Sequence, residues 1–534
     1  MAASRSPRRS LSELAELGTA NLTRVIAVDS QSDERSNSVP STIGQRRLSE
    51  MLASFFSDLG FEASLDSTAN LLVRVPATDG ASGAPKLAFM VHMDTSRGTE
   101  AVEHLESLAA WDGSRIPFPQ NDRLQVTVKN YPQTQVYVGD DILFGPGRYP
   151  IGLDDKLGMS EMMTLGQVLA EEPEIPHGDL MFICRPDEEI GRMAAVEGLA
   201  EELARRGIRY AYTLDGLAPF EVEVENFHAS RAIIKIHGET LAQPAAEARR
   251  ITLRVDGCKS HGATAKAEGY LNATVIFVRA MDALAGRDDI VPIRFVTDLK
   301  AETDADLTFR ISGADTAAVD AAEAAVVAAF SDVCTPHAWK GARVTVASRD
   351  DLGADAGPVS DEVVRLLGFL RAFLGSNGPM PMLSEDSDDY ERYSNPYQVD
   401  PGDGHVRLYF RLRDFDRGVL DAREAHIRAL VGDSDDRLEL EIEQQYVNMG
   451  PSLAPYPELV TWAKEAAEAM EAKIHQCPIR GGTGVDPFLA RDIPVANLGT
   501  GYFAPESEKE FTSRQTIGRH VMWLVHLVQR VAAT

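Results

Sequence analysis

The sequence predicts an α/β protein, a mixed sheet flanked by helices, interrupted by an inserted α+β domain and completed by the C-terminal segment. Short apolar runs, NLLVRV (70–75), KLAFMV (86–91), DLMFIC (179–184) and YAYTL (210–214), alternate with helical stretches such as KLGMSEMMTLGQVLAEE. That alternation is the pattern of strands with helices packed on their faces. Between about Phe227 and Tyr446 the texture changes to amphipathic strands, ASRAIIKIHG and RRITLRV, alternating with Ala-rich helices. After Tyr446 the first texture returns, with a helix from about Glu458 to Ala472, the segments PIRGGTG and VANLGTG, and a final helix near Thr516 to Ala532. The expected domains are therefore 1–227 with 447–534, and an insert over 228–446.

The N-terminal stretch from Leu11 to Leu59 is mostly helical in pattern, broken by the polar SQSDERSNSVPST, with a helix resuming near Ile43. The start, MAASRSPRRSLSELAEL, runs into this helix without the apolar core of a secretory signal. No later run is apolar enough to span a bilayer. At 534 residues, 44% hydrophobic and 25% charged, the composition is that of a soluble globular chain of about two to four compact units. The formal charge of −28 disfavours nucleic-acid backbones and anionic membranes as partners. Cys184, Cys258, Cys334 and Cys477 form no CxxC pair, so neither a zinc ribbon nor a disulfide framework is suggested, and a reducing cytoplasm fits.

Within the insert, LTFRISGADTAAVDAAEAA from Leu307 aligns without a gap on LYFRLRDFDRGVLDAREAH from Leu408. Each copy reads as strand, turn and helix, placing a duplicated unit at about 303–345 and 404–446. Arg413 and Asp414 stand where the first copy has Ser312 and Gly313, so the copies differ in what they can bind.

Three acidic clusters follow consecutive apolar runs: HMDT after KLAFMV, PDEE after DLMFIC, and DG after YAYTL. The C-terminal ends of strands are where open α/β sheets place ligands. His92 and Asp94 alternate on an extended segment and share a side, so the Asp94 carboxylate can accept the ring N–H of a metal-bound imidazole. Asp154 and Asp155 in PIGLDDKLG repel unless a cation compensates, and Lys156 or a divalent metal would serve. Asp187, Glu188 and Glu189 follow a strand that reads as buried, where three acids are costly without metal. Asp215 adds a third strand-end acid. One imidazole with several carboxylates suits Zn²⁺, Mn²⁺ or Co²⁺, and the acids suffice for two ions. One of the paired glutamates would then ligate while the other stays free as a base.

With these residues in view, the chain resembles the metallopeptidases that include peptidase T, carboxypeptidase G and the aminoacylases. The resemblance to the peptidase T type runs through HMDT, GLDDK, PDEEIG, TLDG, VENF, HGATAKAEGYLNA, RDFD, NM, PIRGGT and NLGTG; the repeat unit is the main part outside it. It implies a di-metal catalytic domain with an inserted lid. It also implies hydrolysis of short peptides, of the tripeptide aminopeptidase or dipeptidase type, with a metal-bridging water as nucleophile and Glu188 as general base. His92 and Asp215 would hold one metal and Glu189 the other, Asp154 would bridge them across a cis peptide to Asp155, and Asp94 would orient His92. His261 and Asn272 in the lid match substrate-holding positions, and Arg413 and Arg480 match positions that grip a substrate carboxylate. The other reading of Arg413 is a structural ion pair with Asp414 and Asp416.

Where the family has its last metal-binding histidine, ungapped alignment of NLGTGYFAPESEKEF puts Glu506. The second metal would then have carboxylates alone, Asp154, Glu189 and Glu506, a harder site that moves preference from zinc toward manganese, with cobalt also possible. Gly484 replaces the family acid after Thr483, and an acid appears at Asp486. Enzymes of this type pair through their lids, and dipeptidases with a doubled lid resemble such a pair fused in one chain. The duplication therefore implies a monomer or a weak homodimer through the lid. A deacylase or other amidohydrolase with the same chemistry, and a binding protein without catalysis, are the competing readings.

Overall fold

The computed structural model describes residues 5–241, 246–257, 271–297, 304–353, 357–376, 392–434, 436–479 and 481–534. The chain divides into two compact units, residues 1–226 with 447–534, and residues 227–446. Among the described residues, no helix is long and apolar enough to cross a membrane.

The first unit is built on an eight-stranded mixed sheet. Its strands run, in spatial order, Glu62–Leu65, Leu71–Val75, Leu180–Arg185, Leu87–His92, Tyr210–Gly216, Val495–Gly499, Glu221–Glu223 and His475–Gln476. The four strands from Leu180–Arg185 to Val495–Gly499 pair in parallel. Leu87–His92 and Leu180–Arg185 are buried at every position, the reason both read as unbroken apolar runs. The N-terminal stretch forms helices Leu11–Ile26 and Ile43–Asp58, and a Ser10–Glu13 capping box starts the first.

Helix Leu153–Glu171 is buried almost all round, so its polar side chains need internal partners. Thr164 Oγ1 donates to the Ser160 carbonyl, Asn21 Nδ2 to Thr164 Oγ1, and Lys156 Nζ to the Val28 carbonyl at 2.7 Å. The helix also approaches the sheet closely. A Cβ on Gly158 would collide with the carbonyl oxygen of Leu214, the residue before Asp215.

A second, small sheet joins Tyr502–Phe503, Phe511–Ser513, Ile142–Phe144 and Glu106–Leu108. It packs on an aromatic cluster of Trp111, Phe118, Tyr131, Tyr137, Phe144, Phe503 and Phe511. The sequence reading did not anticipate this sheet. Its strands are two or three residues long and pair segments from opposite ends of the chain, leaving no local periodicity to read.

The second unit holds two four-stranded antiparallel sheets of one design. One runs Ile290–Thr297, Ala305–Gly313, Glu247–Asp256, Arg343–Asp351; the other runs Tyr393–Gly402, His405–Asp414, His228–His237, Leu438–Tyr446. Both carry a bulge just after a proline that faces a phenylalanine, Pro292 opposite Phe309 and Pro396 opposite Phe410. Both second strands lead into helices, Thr316–Cys334 and Arg417–Gly432, whose N-caps are Asp315 and Asp416. Arg249 bonds Glu323 in one copy, and Ser230 bonds Glu424 at the corresponding place in the other. The copies share one apolar core, and the first is threaded between strand His228–His237 and the rest of the second.

Because the two caps are equivalent, Asp315→Ala and Asp416→Ala should each cost about 1 kcal/mol. Phe410→Ala, emptying a fully buried site against Phe369 and Phe373, should cost about 3–5 kcal/mol. Urea unfolding followed by circular dichroism reads all three as lowered midpoints, with the third shift far larger than the first two.

Candidate active site

Three neighbouring parallel strands deliver the acidic clusters to one end of the sheet. His92 closes Leu87–His92, the PDEE segment follows Leu180–Arg185, and Asp215 lies near the end of Tyr210–Gly216. The peptide between Asp154 and Asp155 is cis, as the resemblance implies.

His92 is buried, with its Nε2 2.8 Å from Asp154 Oδ1 and 3.5 Å from Asp215 Oδ1. Its Nδ1 lies 2.9 Å from the main-chain carbonyl of Asp94 and 3.5 Å from the Asp94 carboxylate. The carbonyl is the nearer acceptor of the ring N–H, and the carboxylate lies beside it. The Asp94 carboxylate also accepts the backbone N–H of Glu188 at 2.9 Å and of Glu189 at 3.0 Å, which fixes the turn carrying both glutamates. Asp187 is satisfied elsewhere, by Ser41 and Gln45, and holds a left-handed φ of 58°. Lys156 departs from the expectation. It is directed to Val28, not to Asp154 or Asp155, and burial depresses its pKa to about 8.

Two groups of side chains have donor atoms within 4.8 Å of one another: His92, Asp154 and Asp215, and Asp154, Glu189 and Glu506. They share Asp154. Burial raises the Glu189 carboxyl well above its usual range, with the charges of Glu506 and Asp154 adding to it, and its Oε1 is buried without a hydrogen-bond partner. Burial also raises Asp215, with Asp154 next in effect. For His92, burial works against the charged form, yet the Asp215 charge and the bond to Asp154 hold its pKa well above the ordinary value. An orphaned carboxylate oxygen beside two sets of converging donors fits divalent cations, which would compensate this repulsion.

Glu188 stands beside these donors. Burial pushes its carboxyl up to about 7, opposed by the charges of His92 and Arg185 and assisted by Asp215 and Asp94. Arg185 is buried with Nη2 3.7 Å from Glu188 Oε1, and the same nitrogen donates to the Thr483 carbonyl. Gly484 has φ +58°, and a Cβ there would fall 2.5 Å from Arg185 Nη1, so the departure from the family acid coincides with the room this guanidinium occupies. The sequence reading passed over Arg185, although it lies between the DLMFIC and PDEE segments.

Glu510 and Asn497 were also missed. Glu510 Oε2 accepts the N–H groups of Ile151 at 2.8 Å, Gly152 at 2.9 Å and Leu153 at 3.3 Å, holding the loop that leads to Asp154. Burial lifts its pKa to about 8 despite these donors. Asn497 Oδ1 accepts the Asp215 N–H at 3.2 Å. The buried Tyr502 is directed at Asp154 from the small sheet that also carries Glu506, whose φ of 54° is left-handed. Non-glycine residues in that region store strain, and Asp187 and Glu506 both adopt it beside the donors.

The remaining expected residues divide. His261 and Arg480 lie outside the described residues. Asn272, on the second unit, caps helix Ala273–Ala283 by accepting from Thr274 N, while its Nδ2 donates to Asn395 and to the Pro396 carbonyl. Its amide is thus engaged within that unit. Arg413 donates to the carbonyls of Ser230 and Leu412 and to Gln445, and stacks on Tyr446. It is not the ion pair considered above: Asp414 bonds Arg423 at 3.1 Å and Asp416 caps a helix.

The family model described as Peptidase family M20/M25/M40 matches residues 128–530. The chain belongs to that family. It is 24% identical over 516 residues to a peptidase T of Geobacillus thermodenitrificans, covering 95% of this chain and 96% of the relative. It is 25% identical over 516 residues to a peptidase T of Vibrio parahaemolyticus, covering 95% and 97%. Among solved structures, an aminopeptidase PepT from Bacillus cereus superposes with TM-score 0.52 at 16% identity, covering 97% of this chain and 99% of that one. An aminoacylhistidine dipeptidase from Vibrio alginolyticus gives 0.56 at 16%, covering 98% of each. The chain is a peptidase T-like metallopeptidase, and the structural likeness extends across both units.

Glu510 gives a direct test of how the loop is held. Glu510→Ala should weaken divalent-ion affinity about 10–100-fold through misplacement of Asp154, measured by calorimetric titration of metal-stripped protein. The fold, read by circular dichroism, should be retained.

Proposed function

We propose that the protein is an exopeptidase of the tripeptide aminopeptidase or dipeptidase type that hydrolyses short peptides with two divalent ions. The observation that carries this reading is the pair of donor groups sharing Asp154, with the carboxyl of Glu188 raised to about 7 beside them. His92, Asp154 and Asp215 would hold one ion, and Asp154, Glu189 and Glu506 the other. When bound, the ions supply Lewis acidity that polarises the scissile carbonyl and lowers the pKa of the attacking water. Glu188 takes the proton of that water and passes it to the departing amine. Arg185 lies against Glu188 and favours its ionised state. Asp94 holds the backbone of the Glu188–Glu189 turn, and its carbonyl keeps Nε2 of His92 turned toward the donors. The all-carboxylate second group favours Mn²⁺ or Co²⁺ there relative to a histidine-containing one, with Zn²⁺ still expected at the His92 group. Arg413 and Arg480 are proposed to hold a substrate carboxylate, Arg413 on the grounds that its recorded acceptors are neutral. His261 is proposed to stabilise the developing oxyanion.

The matched pair of sheets in residues 227–446 supports a further part of this reading, that the second copy takes the place of a partner's lid and the chain is a monomer or weak homodimer. Light scattering should return the mass of one chain at micromolar concentration; a tight dimer would sink it.

The activity is tested with di- and tripeptides, free and N-acetylated, on metal-stripped protein reloaded with Zn²⁺, Mn²⁺ or Co²⁺. Cleavage of free peptides is expected, whereas cleavage of blocked substrates alone would make the protein a deacylase. Glu188→Gln should lower kcat at least about 10²–10⁴-fold while both ions are retained. Since Glu188 must be ionised to accept a proton, kcat/KM should fall as pH drops. The apparent pKa of this limb should lie at or below about 7, because bound cations pull it down from the value burial sets.

A further inference from the structure

The short strand His475–Gln476 lies at the far edge of the main sheet and pairs in parallel with Glu221–Glu223, His475 opposite Glu221 and Gln476 opposite Val222. Side chains two apart on an extended segment share a face. His475 and Cys477 therefore project beside Glu221 and Glu223. Donor atoms of Glu221, His475 and Cys477 lie within 4.8 Å of one another. Glu223 adds a fourth, its Oε1 3.7 Å from Cys477 Sγ.

We propose that Glu221, His475 and Cys477, with Glu223 completing the set, form a third metal site, separate from the residues assigned to catalysis, that takes a structural zinc ion. One imidazole nitrogen, one thiolate and two carboxylates make a four-ligand set of the kind zinc accepts, at about 2.0–2.3 Å from the ion. Glu221, His475 and Cys477 are already close enough for side-chain rotations to bring them onto one centre, with Glu223 reaching it from beside Cys477.

The burial pattern points the same way. Glu221, Glu223 and Cys477 are buried, while His475 is exposed and leaves a path by which an ion can enter. Glu221 accepts from the Ala218 N–H at 2.7 Å and Glu223 from Asn497 Nδ2 at 2.6 Å, both neutral donors. Two neighbouring buried carboxylates served by neutral groups are costly, and a divalent cation removes that cost.

The site also has a mechanical consequence. The strand it clamps comes shortly after the chain re-enters the first unit at Val447 and leads into the PIRGGT segment. Asn497 joins it to the catalytic donors: its Nδ2 bonds Glu223, and its Oδ1 accepts from Thr213 Oγ1 at 2.7 Å and from the Asp215 N–H. An ion held here fixes Glu223, and through Asn497 the backbone of Asp215. This inference does not rest on the peptidase reading, because its readout is the sulfur ligand.

The test is cobalt titration of the metal-stripped full-length protein. None of the donors assigned to catalysis contains sulfur, so a thiolate-to-cobalt charge-transfer band in the near ultraviolet reports a cysteine ligand, and its loss in Cys477→Ser assigns it to this site. The band should reach the amplitude of one bound ion by about three equivalents, since the two catalytic groups compete for cobalt, vanish in Cys477→Ser, and require about tenfold more cobalt in His475→Ala, whose exposed position leaves folding intact. A wild-type protein without the band, a band that survives Cys477→Ser, or one unmoved by His475→Ala would overturn the proposal and leave Cys477 as a thiol resting on Glu223. Should Cys477→Ser not fold, His475→Ala decides the matter by itself.

Discussion

The ends of three adjacent parallel strands bring His92, the Glu188–Glu189 turn and Asp215 around Asp154, and the repulsion among these poorly solvated carboxylates is the interaction every surrounding element accommodates. Burial, with the charges of neighbouring acids, raises the carboxyls of Glu188, Glu189 and Asp215. Their positions are held by a shell of directed hydrogen bonds. Asp94 grips the two glutamate N–H groups, Glu510 grips three N–H groups ahead of Asp154, and Asn497 grips Asp215. A set of acids so confined is arranged to take cations, which is what a hydrolytic metal centre requires.

The scaffold explains how such a set stays rigid. The central strands are covered on both faces, helix Leu153–Glu171 is packed so tightly on them that Gly158 admits no side chain, and a small aromatic-backed sheet fixes the segment from Tyr502 to Ser513. The segment between its strands Tyr502–Phe503 and Phe511–Ser513 carries Glu506 and Glu510, and delivers Glu506 to Asp154 and Glu189. A group of carboxylates alone is a harder set of donors than one containing a histidine. The second unit follows a different logic, two copies of one sheet-and-helix design joined in a common core, with the first threaded into the second.

Much of this was legible in the sequence because it is local. Apolar runs with both faces buried, acids placed directly after them, and a repeat that preserves strand, turn and capping aspartate are all patterns within a few dozen residues. The errors arose where adjacency in sequence was taken for adjacency in space. Lys156 follows two aspartates yet turns to Val28, and Asp187 stands in the same acidic run as Glu188 and Glu189 yet bonds Ser41 and Gln45.

Sequence by itself therefore determined the fold class, the family resemblance and which residue types surround Asp154, since strand periodicity and contiguous motifs are written within short segments. Only the tertiary structure decided how those residues are held. Arg185 against Glu188, Glu510 under the Asp154 loop, Asn497 between Asp215 and Glu223, and the meeting of His475 and Cys477 with Glu221 all join segments distant along the chain. Such contacts have no period and no fixed spacing. They exist because burial forces each polar group to find a partner, and which partner is within reach is settled by packing alone.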